Sequence, residues 1–345
     1  MNTQKFTWYI LFITFLMPKL LTGQTFNPER DRALRIVFYN TENTFDTIND
    51  PETEDDEFIP GSIRHWNGYR YYSKIKKLYK TFIATGGWQP PEIIGLCEIE
   101  NKKILEDLVF NTPFNKFKYK IIHKDSPDKR GIDVAAIYNP KKFKVLEHQY
   151  LPVILDDSYR NTREILYLKG HTNIEDTLHL FFNHWPSKWG GALKTEPKRI
   201  CAAKTLRKKI DSLFDINSSS KIIVTGDFND TPKAKSIIKA LGASSVKDTL
   251  KNSKLYNLSS GWNEFYGTHK YQGKWAVIDQ FIVSSSLLKQ NNKHFCLPED
   301  AFIYFSDFLL ETDDKFTGKK PFRTFVGYRY HGGYSDHLPI ILDIH

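Results

Sequence analysis

A chain of 345 residues with 26% charged and 40% hydrophobic positions is long enough for one large domain or two average ones, and its balance excludes a disordered or fibrous protein. The formal charge of +9, from 49 Lys and Arg against 40 Asp and Glu, suits a phosphate-rich partner but is spread along the whole sequence. Three cysteines without metal spacing exclude a disulfide scaffold and a zinc site. Cys97 and Cys201 stand in apolar contexts as small core residues, and at most one disulfide could form.

In chain order the first signal is at the N-terminus. Lys5 precedes the apolar run Trp8 to Met17, and Leu20-Leu21-Thr22-Gly23-Gln24 follows. A short positive region, a hydrophobic stretch of this length and small residues at the cleavage position read as a signal peptide over 1–23. The run is too short to span a membrane comfortably and is broken by Pro18-Lys19, which leaves an uncleaved anchor as the lesser alternative. The mature chain, 24–345, is expected to be exported to a periplasm or beyond the cell, as a monomer.

From Arg35 onward, β-branched and aromatic runs alternate with helical stretches. Ile36 to Tyr39 reads as a strand that stops at the polar turn Asn40-Thr41-Glu42-Asn43, and the acidic run from Asn49 to Glu57 reads as a solvated loop. Tyr69 to Ala84 carries Ile75, Leu78, Tyr79 and Phe82 at helical spacing, and Gly86-Gly87 ends that helix. Ile93 to Cys97 is an apolar run of buried-strand length, ending at Glu98-Ile99-Glu100-Asn101. Further strands are expected over 134–138, 165–168, 178–182, 222–225, 277–283 and 340–344, with a strong helix over 196–213. The stretch 298–330 matches no assignable pattern; its aromatics are read as packing against the rest of the chain, with a substrate-flanking lobe as the alternative. Without repeats or long linkers, one domain fits better than two. The mixture argues for an α/β or α+β layered sandwich, with polar clusters at strand ends, where loops converge to build sites.

Those clusters carry the chemistry. Acid, amide and imidazole groups beside apolar strands are costly to bury unless they find metal or hydrogen-bond partners. Glu98 alone is readable as an exposed edge residue, but with Asn40 at the end of another strand it becomes an oxygen ligand for a hard cation. Alternation places Asp227 and Asn229 on one side while Phe228 turns into the core. The pair could activate water and hold a phosphate oxygen, or merely cap a turn before Thr231-Pro232. Asp336 can chelate, and His337 and His184 have the side chain suited to proton transfer near neutrality, although His184 is equally readable as structural. Each histidine needs an orienting carboxylate, and Asp279 and Asp133, both inside strands, are the candidates.

The ordered set Asn40, Glu98, Ile132-Asp133-Val134, Asn183-His184-Trp185, Gly226-Asp227-Phe228-Asn229, Ile278-Asp279 and Ser335-Asp336-His337 resembles the endonuclease/exonuclease/phosphatase superfamily. That superfamily includes deoxyribonuclease I, exonuclease III-type repair enzymes, inositol polyphosphate 5-phosphatases and bacterial sphingomyelinases. The resemblance spans about Arg35 to Ile344 and looks closest to exported bacterial nuclease-like members. It implies a four-layer α/β sandwich, two stacked mixed sheets flanked by helices, and a divalent-metal phosphoesterase. By motif position, Asn40, Glu98 and Asp336 would hold Mg²⁺ or Mn²⁺, and Asp227, Asn229 and His337 would surround the scissile phosphate. His337 would pair with Asp279, and His184 with a carboxylate for which Asp133 is the candidate. Absence of the repair enzymes' arginine-tyrosine pattern around Asp279 argues against abasic-site repair.

A nuclease acting on DNA or RNA is the expected function, with Arg130, Lys188 and Trp189 placed to track a phosphate backbone and stacked bases. A phosphatase or phospholipase on inositol phosphates, sphingomyelin or other small phosphoesters is the alternative. A non-catalytic binding protein would show erosion of a metal or proton-transfer residue, and none is evident.

Overall fold

The structure, a computed structural model, describes residues 32–345 other than 88, 156–161, 175 and 263–264. The segment read as a signal peptide lies outside the described residues. Asp31–His345 forms one compact unit. Among the described residues, no helix is long and apolar enough to cross a membrane.

Among the described residues, the strands in the first two thirds of the chain are β1 (Leu34–Thr44), β2 (Ile93–Ile99), the short β3 (Lys120–Ile122), β4 (Asp133–Tyr138), β5 (Lys144–Leu151), β6 (Ile165–His171), β7 (Thr177–His184) and β8 (Lys221–Asp227). The main helices are α1 (Gly68–Gly86), α2 (Lys102–Phe110) and α3 (Ala192–Ile216). One six-stranded sheet runs in the order Ala301–Ile303, Ile340–Ile344, β1, β2, β4, β3. A seven-stranded sheet runs β5, β6, β7, β8, Asp279–Ser284, Leu255–Asn257, Ala243–Ser245. β1 and β2 are parallel, as are β7 and β8, and α1 and α3 supply the crossovers that parallel neighbours require.

Period-two alternation sorts each strand's side chains between two layers. Ile36 and Phe38 of β1 point inward and meet Leu178, Leu180 and Phe182 of β7 between the sheets. Val37 and Tyr39 point outward and lie under Ile75, Leu78 and Phe82 of α1. On the other sheet, Phe181, Ile222 and Val224 are covered by Ala202, Leu206 and Ile210 of α3. The result is helix, sheet, sheet, helix. The sheets interlock tightly at Gly95, where a Cβ would stand 2.1 Å from the Phe182 ring.

Several boundaries differ from the sequence reading. α1 begins where the Asn67 side chain accepts the Arg70 N–H and ends at Gly87, whose φ of 80° breaks the helix. α3 begins a turn early at Ala192 and carries Pro197 in its second turn. The strand expected over 277–283 begins only at Asp279, because Thr268 Oγ1 accepts the N–H groups of both Ile278 and Asp279, and Lys274–Ala276 before it pairs separately with His269–Tyr271 as a hairpin. The acidic loop is not wholly solvated, since Asp55 is buried and accepts the Asp50 N–H. Within 298–330, Ala301–Ile303 joins the first sheet, and Leu309 and Phe325 pack into apolar clusters, while Tyr328 remains exposed. The three cysteines are unbridged, Cys97 and Cys296 buried and Cys201 half-buried.

Candidate active site

Register brings the second sheet's polar residues into one row. His184 is paired with Asp227 across β7 and β8, and Asp227 with Asp279 on the next strand. The first sheet contributes through two irregularities. β1 and β2 lose register between Asn40 and Thr44, and Glu42, Asn43 and Glu98 adopt φ of 51°, 45° and 62°. Non-glycine residues seldom occupy that left-handed region, and such strain is held only where surrounding contacts fix it. Here it turns the Glu98 carboxylate to the rim, where Asn43 N–H (2.8 Å) and Asn40 Nδ2 (3.2 Å) donate to it.

Asn40 links the sheets. Its Nδ2 also donates to Asp227 Oδ2 at 3.0 Å, while its Oδ1 accepts the Glu42 N–H. The amide nitrogen therefore lies between two carboxylates, while Oδ1, accepting one N–H, keeps a second lone pair. Its backbone carbonyl accepts from Ser335 Oγ, which in turn accepts the His337 N–H, so the C-terminal Asp-His turn sits on the same rim.

Around Asp227 the charges are crowded. Oδ1 accepts the Asn229 N–H, and Oδ2 lies 3.8 Å from Nε2 of both His184 and His337. Burial, reinforced by the Asp279 carboxylate, pushes the Asp227 carboxyl up to about 7. His337 Nδ1 meets Asp279 Oδ2 at 2.7 Å. Burial alone would lower this imidazole, but Asp279 and Asp227 overrule it and hold His337 well above the ordinary histidine range. His184 has no such partner: its Nδ1 is buried without a hydrogen bond, and burial with Arg163 and Arg130 nearby keeps it well below that range. Asp133, expected to orient His184, instead meets His123 Nε2 at 2.8 Å and accepts the Ser126 N–H. The β3–β4 pairing brings His123 beside it, while His184 lies on the other sheet.

Asn229, at φ 50°, donates its Nδ2 to the Trp185 carbonyl, and Phe228 packs edge-on against Trp185 in the core. Asp336 Oδ2 pairs with Arg323 at 3.0 Å, and its Oδ1 lies 4.0 Å from His337 Nε2. Burial would raise the Asp336 carboxyl, yet Arg323 and His337 outweigh it and hold it low. Three residues at this rim escaped the sequence reading. His269 pairs with His337 through an isolated bridge, its ring 4.8 Å away, and burial takes it down to about 4. Glu42 and Arg323 form the other side. Only Glu42, inside the polar turn after the first strand, carried any local signal.

Glu100 is turned away from the site and accepts the Asp46 N–H at 2.6 Å. Burial, with the Asp46 and Asp55 carboxylates near, raises it to about 8. A carboxyl raised in the fold is neutral there, so its ionisation opposes folding as pH rises from the ordinary value through 8. Glu100→Gln is expected to raise thermal stability at pH 8, on the order of 1 kcal/mol, and to leave it unchanged at pH 4. Equal effects at both pH values in scanning calorimetry would contradict this.

Two groups of ligand atoms lie within 4.8 Å of one another at the rim, Asp227–Asp279–His337 and His269–Asp336–His337. His337, held protonated by Asp279, has no lone pair to offer, but the carboxylates of Asp227, Asp336 and the adjacent Glu98, with Asp279 Oδ1 buried without a partner, make an oxygen set that fits a hard divalent cation. Two stacked mixed sheets, faced by helices and carrying this constellation on one rim, define a deoxyribonuclease I-like sandwich of the hydrolase class. The chain belongs to the Endonuclease/Exonuclease/phosphatase family, whose family model matches residues 35–345. Enzymes of this family are generally dependent on divalent metals. Among solved structures, a humanized TDP2 from D. rerio aligns with TM-score 0.55 and 14% identity over 90% of this chain and 98% of that one. The D. rerio TDP2 complexed with a single strand DNA product gives 0.54 and 13% over 90% and 98%. The human Nocturnin catalytic domain with bound sulfate anion gives 0.52 and 13% over 91% and 95%. At these identities the likeness is one of fold. No curated protein matches the chain.

Proposed function

We propose that this is an exported, monomeric phosphodiesterase that hydrolyses nucleic acid with a divalent metal, Mg²⁺ or Mn²⁺. The observation that carries the reading is the Asp227 carboxylate set between two imidazoles of opposite character, one held cationic by Asp279 and one kept neutral. Environments that drive neighbouring groups apart in this way are how acid and base roles are divided at one pH. Asp227, poised near neutrality, takes the proton of the attacking water. His337, braced by Asp279, presents positive charge to the phosphoryl oxygens as negative charge builds on them. Asn229 keeps its second amide N–H for one of those oxygens while Trp185 fixes the first. Glu98 and Asp336 would hold the metal, with Asn40 fixing Glu98; when bound, the metal would polarise the phosphoryl group and offset its charge. Asp133, on its own His123, supports the rim and takes no part in proton transfer.

The net charge of +9 supports a nucleic-acid substrate, as do Arg130 and the exposed Trp189 lining a cleft beside the site. Lys188 stands at the same edge, on Asp230 at 3.2 Å. The sandwich shared with a TDP2 complexed with a single strand DNA product adds to this. That cleft, of about 500 Å³, also favours the second reading, a phosphatase or phospholipase on a small phosphoester such as an inositol phosphate or sphingomyelin.

The test incubates purified protein with plasmid DNA, RNA, inositol phosphates and sphingomyelin, with Mg²⁺ or with chelator. Nucleic-acid cleavage that chelator abolishes is expected. Turnover of a small phosphoester alone would keep the site and replace the substrate, and cleavage undiminished by chelator would remove the metal.

A further inference from the structure

The segment that sequence patterns left without a role reaches into the rim. Arg323-Thr324-Phe325 crosses beside the bulge of β1, and its backbone is pinned by one side chain: the Glu42 carboxylate accepts the N–H of Thr324 at 2.6 Å and of Phe325 at 3.4 Å. Lys74 of α1, fully buried, fastens the same strap from below, donating to Thr324 Oγ1 and to the Tyr334 carbonyl two residues before Asp336. An ammonium and a carboxylate are costly to bury and are kept only where hydrogen bonds satisfy them. Apart from a 3.4 Å bond from Lys74 Nζ to the Glu42 carbonyl, those bonds converge on residues 323–325 and on the turn that leads to Asp336.

What the strap delivers is the Arg323 guanidinium. Its Nε lies 3.3 Å from Glu42 Oε1, and its Nη2 lies 3.0 Å from Asp336 Oδ2. One oxygen of Asp336 is thereby fixed, and the other is left facing His337. Two different nitrogens of the arginine hold the two carboxylates at once, a hold that the single ammonium of a lysine cannot reproduce. The geometry points to Arg323 as a positioning residue that orients Asp336 for the metal, with Glu42 and Lys74 as the lock that sets the arginine in place. This rests on the functional reading above. Groups that orient a metal ligand from behind typically carry a factor of 10–100 in metal affinity.

The experiment measures Mn²⁺ binding to the purified, otherwise unmodified protein by the electron paramagnetic resonance of free Mn²⁺, without substrate. Arg323→Gln is expected to raise the Mn²⁺ dissociation constant by about 10–100-fold. Arg323→Lys, keeping the charge but losing the two-point hold, is expected to fall between Arg323→Gln and wild type. Unfolding midpoints of the metal-free proteins show whether each variant is folded; should Arg323→Gln unfold, the lysine variant carries the test alone. Arg323→Gln or Arg323→Lys binding Mn²⁺ as tightly as wild type overturns the inference and leaves the metal reading intact. Tighter binding also overturns it, since Arg323 would then compete with the metal. A wild-type protein that binds no Mn²⁺ removes the metal reading and this inference together.

Discussion

Asp279→Asn is expected to lower kcat by about 10²–10⁴-fold, the range spanned by a positioned proton-transfer pair. The amide can still accept from His337 Nδ1, so the ring keeps its place, but it no longer balances the imidazolium that Asp279 sustains. The same change removes the Asp279 charge that raises Asp227, a larger effect than the opposite one of a less cationic His337, so the Asp227 carboxyl should fall from about 7. The sign follows: a base that ionises at lower pH moves the acidic limb of the kcat profile to lower pH, even as the plateau drops. Steady-state kinetics from pH 5 to 9 at saturating metal would decide it. A full plateau, or a limb displaced upward, would mean the pair is structural. His337→Ala is a poorer probe, since it strands two buried carboxylates and confounds activity with folding.

Lys74→Met is expected to cost about 3–5 kcal/mol of unfolding free energy, the usual consequence of deleting one partner from a buried ionic network. Methionine fills much the same volume, so the loss is electrostatic: Tyr334 O and Thr324 Oγ1 lose their donor, and burial keeps the Glu42 carboxyl, already raised to about 7, more nearly neutral still. Urea denaturation with an unchanged slope would read the difference directly. A cost under about 1 kcal/mol would mean that desolvating the ammonium nearly cancels the bonds it makes.

What could be read from the sequence is what is local. Ile36 to Tyr39 and Ile93 to Cys97 state their own burial, and the polar groups that end them, Asn40 and Glu98, announce a rim. Asp227, Asp279 and His337 stand out because each is a titratable group inside an apolar run. What could not be read depends on residues far apart or on a bend in the backbone. Arg323 reaches Glu42 across 281 positions, and nothing in a run of aromatics and lysines marks one arginine as the inward one. Asp133 meets His123 rather than His184 because the pairing of β3 with β4, not an order of motifs, decides its neighbour. The orientation of Asn40 follows from positive φ at Glu42, which no composition rule demands of a glutamate.

The place of β1 has a consequence for synthesis. This strand, near the start of the chain, lies in the middle of the six-stranded sheet, and one of its flanks is closed by the last strand, with Leu34 opposite Ile344. As the chain leaves the ribosome, β1 emerges first and must wait for nearly the entire polypeptide before that edge is hydrogen-bonded. Pairings this distant in sequence are slow to form and leave strand edges open to other chains. Nascent or truncated chains lacking 340–344 would therefore expose an apolar edge on β1 that invites association. On the proposed function, a chain stopped before Asp336 would lack activity as well, so incomplete products would be both sticky and inert.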